Sequence, residues 1–300
     1  ALTLTGSLSQ ACTVTLAPNT LSNCWVVQNS AGNTVTLTQG TGANVVIPNG
    51  GIRMVATDGA GSGAAVTDVL DVLGGTGNVG LGSGAFGTGL TTGTDNVAIG
   101  HDAGDALTSG SDNTFVGDNA GGATTTGANN VAIGSESLDA NTTGAANTSV
   151  GKGALTTNTT GDSNVAVGKG ALEANTTADN NTAAGASSLE ANTSGDNNVA
   201  VGKSSLLANT TGDKNTAMGI EALKTNTVGD RSVAIGYQAL YTQNPATNTD
   251  MFNVAVGNGA LFASTTGTSN TAVGGNALNA NTTADDNVAI GHNALTDSTT

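Results

Sequence analysis

The chain has 300 residues, 45 of them Gly and 3 Pro; aromatic residues make up 2%, charged residues 10%, and the formal net charge is −15. With only 7 Lys plus Arg against 22 Asp plus Glu, its surface repels phosphate backbones and anionic headgroups, which excludes nucleic-acid binding. No run approaches the ~20 apolar residues of a membrane span, so membrane insertion is not expected.

Residues 1–72 do not repeat. The runs "CTVTLAP", "CWVVQNS", "NTVTLTQG", "NVVIPNGG" and "IRMVATDGAG" are rich in β-branched residues and bounded by Asn, Gly and Pro, which predicts a small β-sandwich or meander of five or six strands. Cys12 and Cys24 are the chain's two cysteines. On adjacent strands they would form a stapling disulfide; otherwise they are two buried thiols. Their wide separation and the lack of a neighbouring His exclude a metal site between them.

From residue 73 to 300 the sequence repeats. A Gly after an aliphatic residue recurs thirteen times from Gly82 to Gly291, and every step from Gly100 to Gly236 has the same length of seventeen letters, as from Gly168 to Gly185. Disordered low-complexity sequence has no reason to keep such a register. Asn stands four places before this Gly in twelve units and Leu four places after it in ten. The unit reads N-(V/T)-A-(V/I)-G-x-x-A-L-x-x-N-T-T-G-D-x. Its β-branched residues alternate, as on a short strand, and a Gly in every unit argues against helix at about 1 kcal/mol each.

A short strand, a Gly bend, a segment around Ala-Leu and an N-T-T-G-D turn make one coil of a parallel β-solenoid of about thirteen coils. Equivalent residues then stack at about 4.8 Å. Asn164, Asn181, Asn198 and Asn215 are expected to form a ladder of side-chain amides, each bonded to the one above and below. Gly168, Gly185, Gly202 and Gly219 are expected where a Cβ would obstruct the bend. Three places before the Gly, Val and Thr alternate from Val97 and Thr114 to Thr216 and Val233, so the full pattern returns only at every second unit. Two buried aliphatic side chains per coil are too few to offset the ordering of the whole coil's backbone. Stacking must therefore be supplemented by a partner surface, and a homotrimer is the natural closed form.

The N-V-A-I-G segments at Asn96–Gly100, Asn130–Gly134 and Asn287–Gly291 resemble the repeat of trimeric autotransporter adhesin heads, which implies a left-handed parallel β-roll over residues 78 to 300. That family's repeat is shorter, and the N-T-T-G-D turn is the departure. The segment 1–72 looks similar to small β-modules of bacteriophage tail fibres. Together these resemblances imply a trimeric tail fibre on the virion or another extracellular surface, with no cofactor and no enzymatic activity. Its partners would be two further copies, other fibre or tail proteins, and a host cell-surface glycan or protein. The rivals are a bacterial trimeric surface adhesin, an ice-binding solenoid suggested by the stacked Thr142, Thr159, Thr176 and Thr210, and a polysaccharide depolymerase.

Within the repeat, few residues suit chemistry. "GSGAFG", from Gly82 to Gly87, matches a dinucleotide fingerprint, but Gly82 is already the repeat Gly. His101 and His292 lie eleven coils apart, roughly 50 Å. Glu173 and Glu190 are stacked equivalents without an aromatic cleft, and read as a solvent face. Asp162, Asp179, Asp196, Asp213 and Asp230 form an acidic ladder in the turn, expected to be solvated. The repeat breaks once, at "YQALYTQNPATNTDMF", Tyr237 to Phe252, where the unit is lengthened by four near 241–252. Tyr237, Tyr241 and Phe252, with Gln243 and Asn244 nearby, are the residue types that bind sugars. The bland alternative is a loop whose aromatics cover an exposed coil.

Overall fold

The computed structural model describes residues 2–5, 10–16, 22–39, 44–47, 52–58, 66–72, 77–87 and 89–297. Among these residues every regular element is a strand. The N-terminal part contains β1 (Leu2–Thr5), β2 (Cys12–Thr15), β3 (Ser22–Ser30), β4 (Val35–Thr38), β5 (Val45–Ile47), β6 (Ile52–Asp58) and β7 (Val66–Val72). A meander would pair neighbours antiparallel, but here β1 pairs with β3 and β2 with β4, both in parallel. The chain alternates between two sheets over its first four strands, so next-but-one strands meet in the same direction. Antiparallel pairing begins where β4 meets β5, and β3–β6–β7 complete the second sheet.

Leu16, Val27, Val35, Leu37, Val45, Ile47 and Val55 close a core that is separate from that of the repeat. Cys12 and Cys24 do not lie on paired strands: Cys12 faces Val35 in the smaller sheet, and Cys24 faces Ala56 in the larger. The thiol of Cys12 is free and half-buried. The side chain of Cys24 lies outside the described residues.

The last antiparallel link joins Asp71 of β7 to Gly80 of β8 (Val79–Leu81). From β8 onward all pairing is parallel. Thirteen three-residue strands, ending at Val288–Ile290, stack in a single column, each in register with the one a single repeat away, as in Val165↔Thr182 and Val167↔Ala184. The rest of the coil stacks as well. The backbone N–H groups of Gly170, Leu172, Ala174, Thr176 and Asn180 all donate to carbonyls of neighbouring coils at 2.9–3.2 Å. Each unit therefore satisfies most of its backbone between coils, with Ala171 and Asn175 donating within their own coil to Gly168 and Leu172, and the strand is only its most regular part.

The core is one side chain wide. In the coil that begins at Asn164, Ala166, Ala171 and Leu172 are fully buried, and the same places are filled from coil to coil. Leu172 has φ +52, and its equivalents from Leu138 to Leu295 lie between +48 and +55. This explains why the column is Leu and never Val or Ile: a left-handed residue with a branched Cβ meets its own backbone. Gly168 has φ +137, and an added Cβ would lie 2.5 Å from the carbonyl oxygen of Gly185 in the next coil. The bend excludes any other residue twice over, by torsion and by contact.

Two columns of buried Asn run through the coil, and they behave differently. In the first, Asn164 Oδ1 accepts the backbone N–H of Asn181 at 3.0 Å, while its Nδ2 donates across the coil to the Ala178 carbonyl at 2.7 Å. Asn181, Asn198 and Asn215 repeat this arrangement with the carbonyls of Gly195, Gly212 and Gly229. The first column thus closes each coil upon itself and is not mainly an amide-to-amide ladder. That ladder occurs in the second column, seven places after the bend Gly. There Asn158, Asn175, Asn192, Asn209 and Asn226 each donate Nδ2 to the Oδ1 one coil earlier, at 2.8–3.2 Å. The Asn of the Asn-Thr-Thr stretch, read as turn, is fully buried.

Candidate recognition surface at the enlarged coil

The coil between Gly236 and Gly257 contains the added length, yet the strands on either side remain in register, with Val233↔Val254 and Ile235↔Val256. The extra length is taken up between buried Pro245 and Thr249, where Ala246, Thr247 and Asn248 are exposed. Thr249–Asp250 then rejoins the stack by pairing in parallel with Gly229–Asp230. The insertion is a local bulge of one coil, and the column continues past it.

The five candidate residues do not form one site. Tyr237 is 48% exposed on the line of residues that follow the bend Gly, one coil from the equally exposed Ile220. Tyr241 is half-buried and stacks on Phe262, with ring centroids 5.2 Å apart and an interplanar angle of 13°. The ammonium of Lys224 lies 5.5 Å from the Tyr241 ring centroid. These three residues occupy equivalent places in three successive coils, so the rings stack along the rod and each covers a face of the other. Phe262 is missing from the sequence-based set, although its place marks it: like Tyr241, it directly follows the core Leu of its coil. Lys224 also bonds Glu221 at 2.7 Å, and Gln238 donates to the other carboxylate oxygen at 2.8 Å. These bonds, that of Lys224 first, lower the Glu221 pKa, and the same contact raises that of Lys224.

Phe252 is 51% exposed and stands on a different line, with the Arg231 guanidinium 5.8 Å from its ring centroid. Arg231 Nε is 2.6 Å from Asp250 Oδ1. Beside them Met251 is fully buried and donates its backbone N–H to the Asp230 carbonyl at 3.0 Å.

Gln243 and Asn244 are structural. Gln243 is fully buried in the second Asn column and donates Nε2 to Asn226 Oδ1 at 3.2 Å. Its Oε1 accepts the Ser232 hydroxyl at 3.1 Å and Asn253 Nδ2 at 3.0 Å. Ser232 marks the one unit lacking Asn in the first column, and its side chain is too short to cross the coil. The longer Gln243 reaches across from the opposite column instead. Asn244 is exposed, but its Oδ1 accepts the N–H and hydroxyl of Thr227 at 3.2 and 2.6 Å. In other coils a Thr stands here and donates its hydroxyl to the carbonyl of the next, as Thr142, Thr159, Thr176 and Thr210 do at 3.0–3.1 Å. That stacked array is tied to its neighbours rather than presented freely.

The acidic ladder is partly engaged as well. Asp179, Asp196, Asp213 and Asp230 each accept, at Oδ1, the backbone N–H of the Asp one coil earlier at 2.7 Å. Asp230 ends this run beneath the enlarged coil, where burial raises its pKa, reinforced by the charges of Asp213 and Asp250. Burial likewise raises Asp105 and Asp139 near the start of the rod. His101 lies 3.1 Å from Asp118 on an open surface. Among the described residues no group of three or more His, Cys, Asp or Glu is placed to hold a metal, and no helix is long and apolar enough to cross a membrane.

No protein-family model, curated protein or solved structure matches this chain.

Proposed function

We propose that the chain is a non-enzymatic fibre protein, a bacteriophage tail fibre on the virion surface, in which three copies form a stiff rod that presents a host-attachment element. The unbroken stacking carries this reading. Thirteen coils at the strand spacing give a rod of about 60 Å, and its buried polar groups bond from coil to coil, so bending would break hydrogen bonds at every level. Such a body serves reach and rigidity, and three parallel copies add avidity to weak contacts. The enlarged coil is where the rod surface becomes distinctive, with Tyr237 and Phe252 turned outward. The expected ligand is a host cell-surface glycan or protein, and the rod's other partners are fibre or tail proteins.

Sedimentation equilibrium of the purified chain tests the assembly: three chain masses are expected, and a stable monomer at micromolar concentration overturns it. An array of bacterial surface polysaccharides tests attachment. Binding that is lost in Tyr237→Ala and Phe252→Ala supports the enlarged coil as its seat, and binding unchanged in both removes it.

A further inference from the structure

We propose that the outward face of the strand column docks a second copy of this chain, parallel and in register; this rests on the multi-chain rod proposed above and names its contact face. In each three-residue strand the middle side chain points into the core and the outer two point away from it. The outer two columns contain only Val, Thr, Ile, Leu, Ala and Met from Val79 to Ile290. No charged or amide side chain occurs there, in a chain with a net charge of −15. Ile99, Ile133, Val167, Met218 and Ile235 along this face are 38–43% exposed. With three residues at about 3.4 Å and a length of about 60 Å, the face offers on the order of 600 Å² per chain, close to the ~800 Å² per partner of a standard interface.

The alternation of Val and Thr identifies the occupant. Thr114, Thr148, Thr182 and Thr216 sit half-buried on this face, two coils apart, between Val residues. Among the described residues their hydroxyls have no hydrogen-bond partner, unlike those of the Thr column at the turn. A partner that covers the face must therefore supply hydroxyl-matching groups every second coil and methyl groups in between. A second copy at the same height, with the shared axis running along this Val/Thr column, does so, Thr facing Thr and Val facing Val. A copy shifted by one coil would press each hydroxyl against a Val. At the enlarged coil the alternation slips, with Val233 followed by Val254, so a shift of two coils is mismatched there as well. Only the unshifted register fits the whole length.

Cysteine cross-linking and a charge substitution test this. The parent chain should sediment as a multimer. After treatment with a bis-maleimide linker that spans about 10 Å, the spacing of facing sheets, Val165→Cys should run as a covalent dimer on a denaturing gel, while the parent and Thr177→Cys, on an exposed line of the turn, should not. Val165→Lys should lose the multimer. If the multimer persists in Val165→Lys and Val165→Cys forms no link, the chains assemble through another face; this proposal then fails while the multi-chain rod stands. A monomeric parent removes both. Should Val165→Lys fail to fold, the cysteine result decides alone. A link that forms only in a mixture of Val131→Cys and Val165→Cys chains, two coils apart, overturns the register.

Discussion

Asn175→Asp isolates the second Asn column, because it changes one atom and leaves the volume unchanged. Asn175 is fully buried; its Nδ2 donates to Asn158 Oδ1 at 2.8 Å and to the Ala178 carbonyl at 3.1 Å, and its Oδ1 accepts from Asn192 at 3.1 Å. An aspartate keeps the acceptor for Asn192 but replaces both donations by oxygen facing oxygen. The Ala178 carbonyl keeps Asn164 Nδ2, but Asn158 Oδ1 is left unpaired at about 1–3 kcal/mol, and with two pairs of facing oxygens the local loss is about 3 kcal/mol before the desolvation of the new charge. That corresponds to roughly a 150-fold rise in the opening constant of the coil. Coils of a solenoid open locally, so the suitable assay is hydrogen exchange followed by mass spectrometry over residues 158–192, with Thr177→Asp on the exposed turn as the control. Burial among oxygens raises the pKa of the introduced group. Its stability contribution is therefore recovered as pH falls through that raised value, where a protonated carboxyl can again donate one bond, and lost as pH rises. The reasoning fails if Asn175→Asp exchanges within twofold of the parent at pH 7.

Three further outcomes are expected. Leu172→Ile should destabilise its coil more than Leu172→Met, although Ile conserves the volume, because φ is +52 and a branched Cβ adds left-handed strain of about 1 kcal/mol or more; denaturation midpoints of the two variants decide. Gln243→Ala should cost about 2–4 kcal/mol by orphaning Ser232, Asn226 and Asn253, and the cost should shrink in a Ser232→Asn background, where Asn can close the coil itself; a double-mutant cycle measures the coupling. Asp230, Asp105 and Asp139 have raised pKa values in the folded chain, so their contribution to stability is present at acid pH and lost as pH rises through those values. Mild acidification should thus raise the thermal midpoint, and Asp230→Asn, which keeps an acceptor for the Asp213 N–H, should flatten that dependence.

The repeat unit was legible because each of its fixed letters answers a requirement that only one residue type meets. Gly168 must take a torsion and a contact that forbid a Cβ. Leu172 must be large, apolar and unbranched at Cβ. The strand of Val165 to Val167 shows itself by alternation. These demands recur in every coil, so the period, the parallel solenoid and the thin core follow from the letters. The N-terminal part was less legible: β1 and β3 pair across an intervening strand, and nothing in their local sequence records which strand lies beside which.

The candidate surface divides in the same way. Tyr237, Tyr241 and Phe252 were legible as candidates by their rarity, but rarity did not tell which face outward: Tyr237 and Phe252 are exposed, Tyr241 is half-buried and Phe115 fully buried. The role of Gln243 was not legible, since a Gln in a broken repeat reads as surface until Ser232 is seen facing it across the coil. Nor could the two Asn columns be told apart, because both recur with the same period. Left-handed residues such as Leu172 turn the arc between the bend and the second Asn, so side chains there do not alternate inward and outward as they do on a strand. The sequence by itself determined what repeats and how far apart, because stacking makes every coil repeat the same local demands. Only the tertiary structure decided which polar side chains face inward, and hence that Asn175 bonds amide to amide between coils while Asn164 spans its own coil and holds the next through its backbone N–H. Direction depends on the path of the whole coil, which no single seventeen-letter phrase contains.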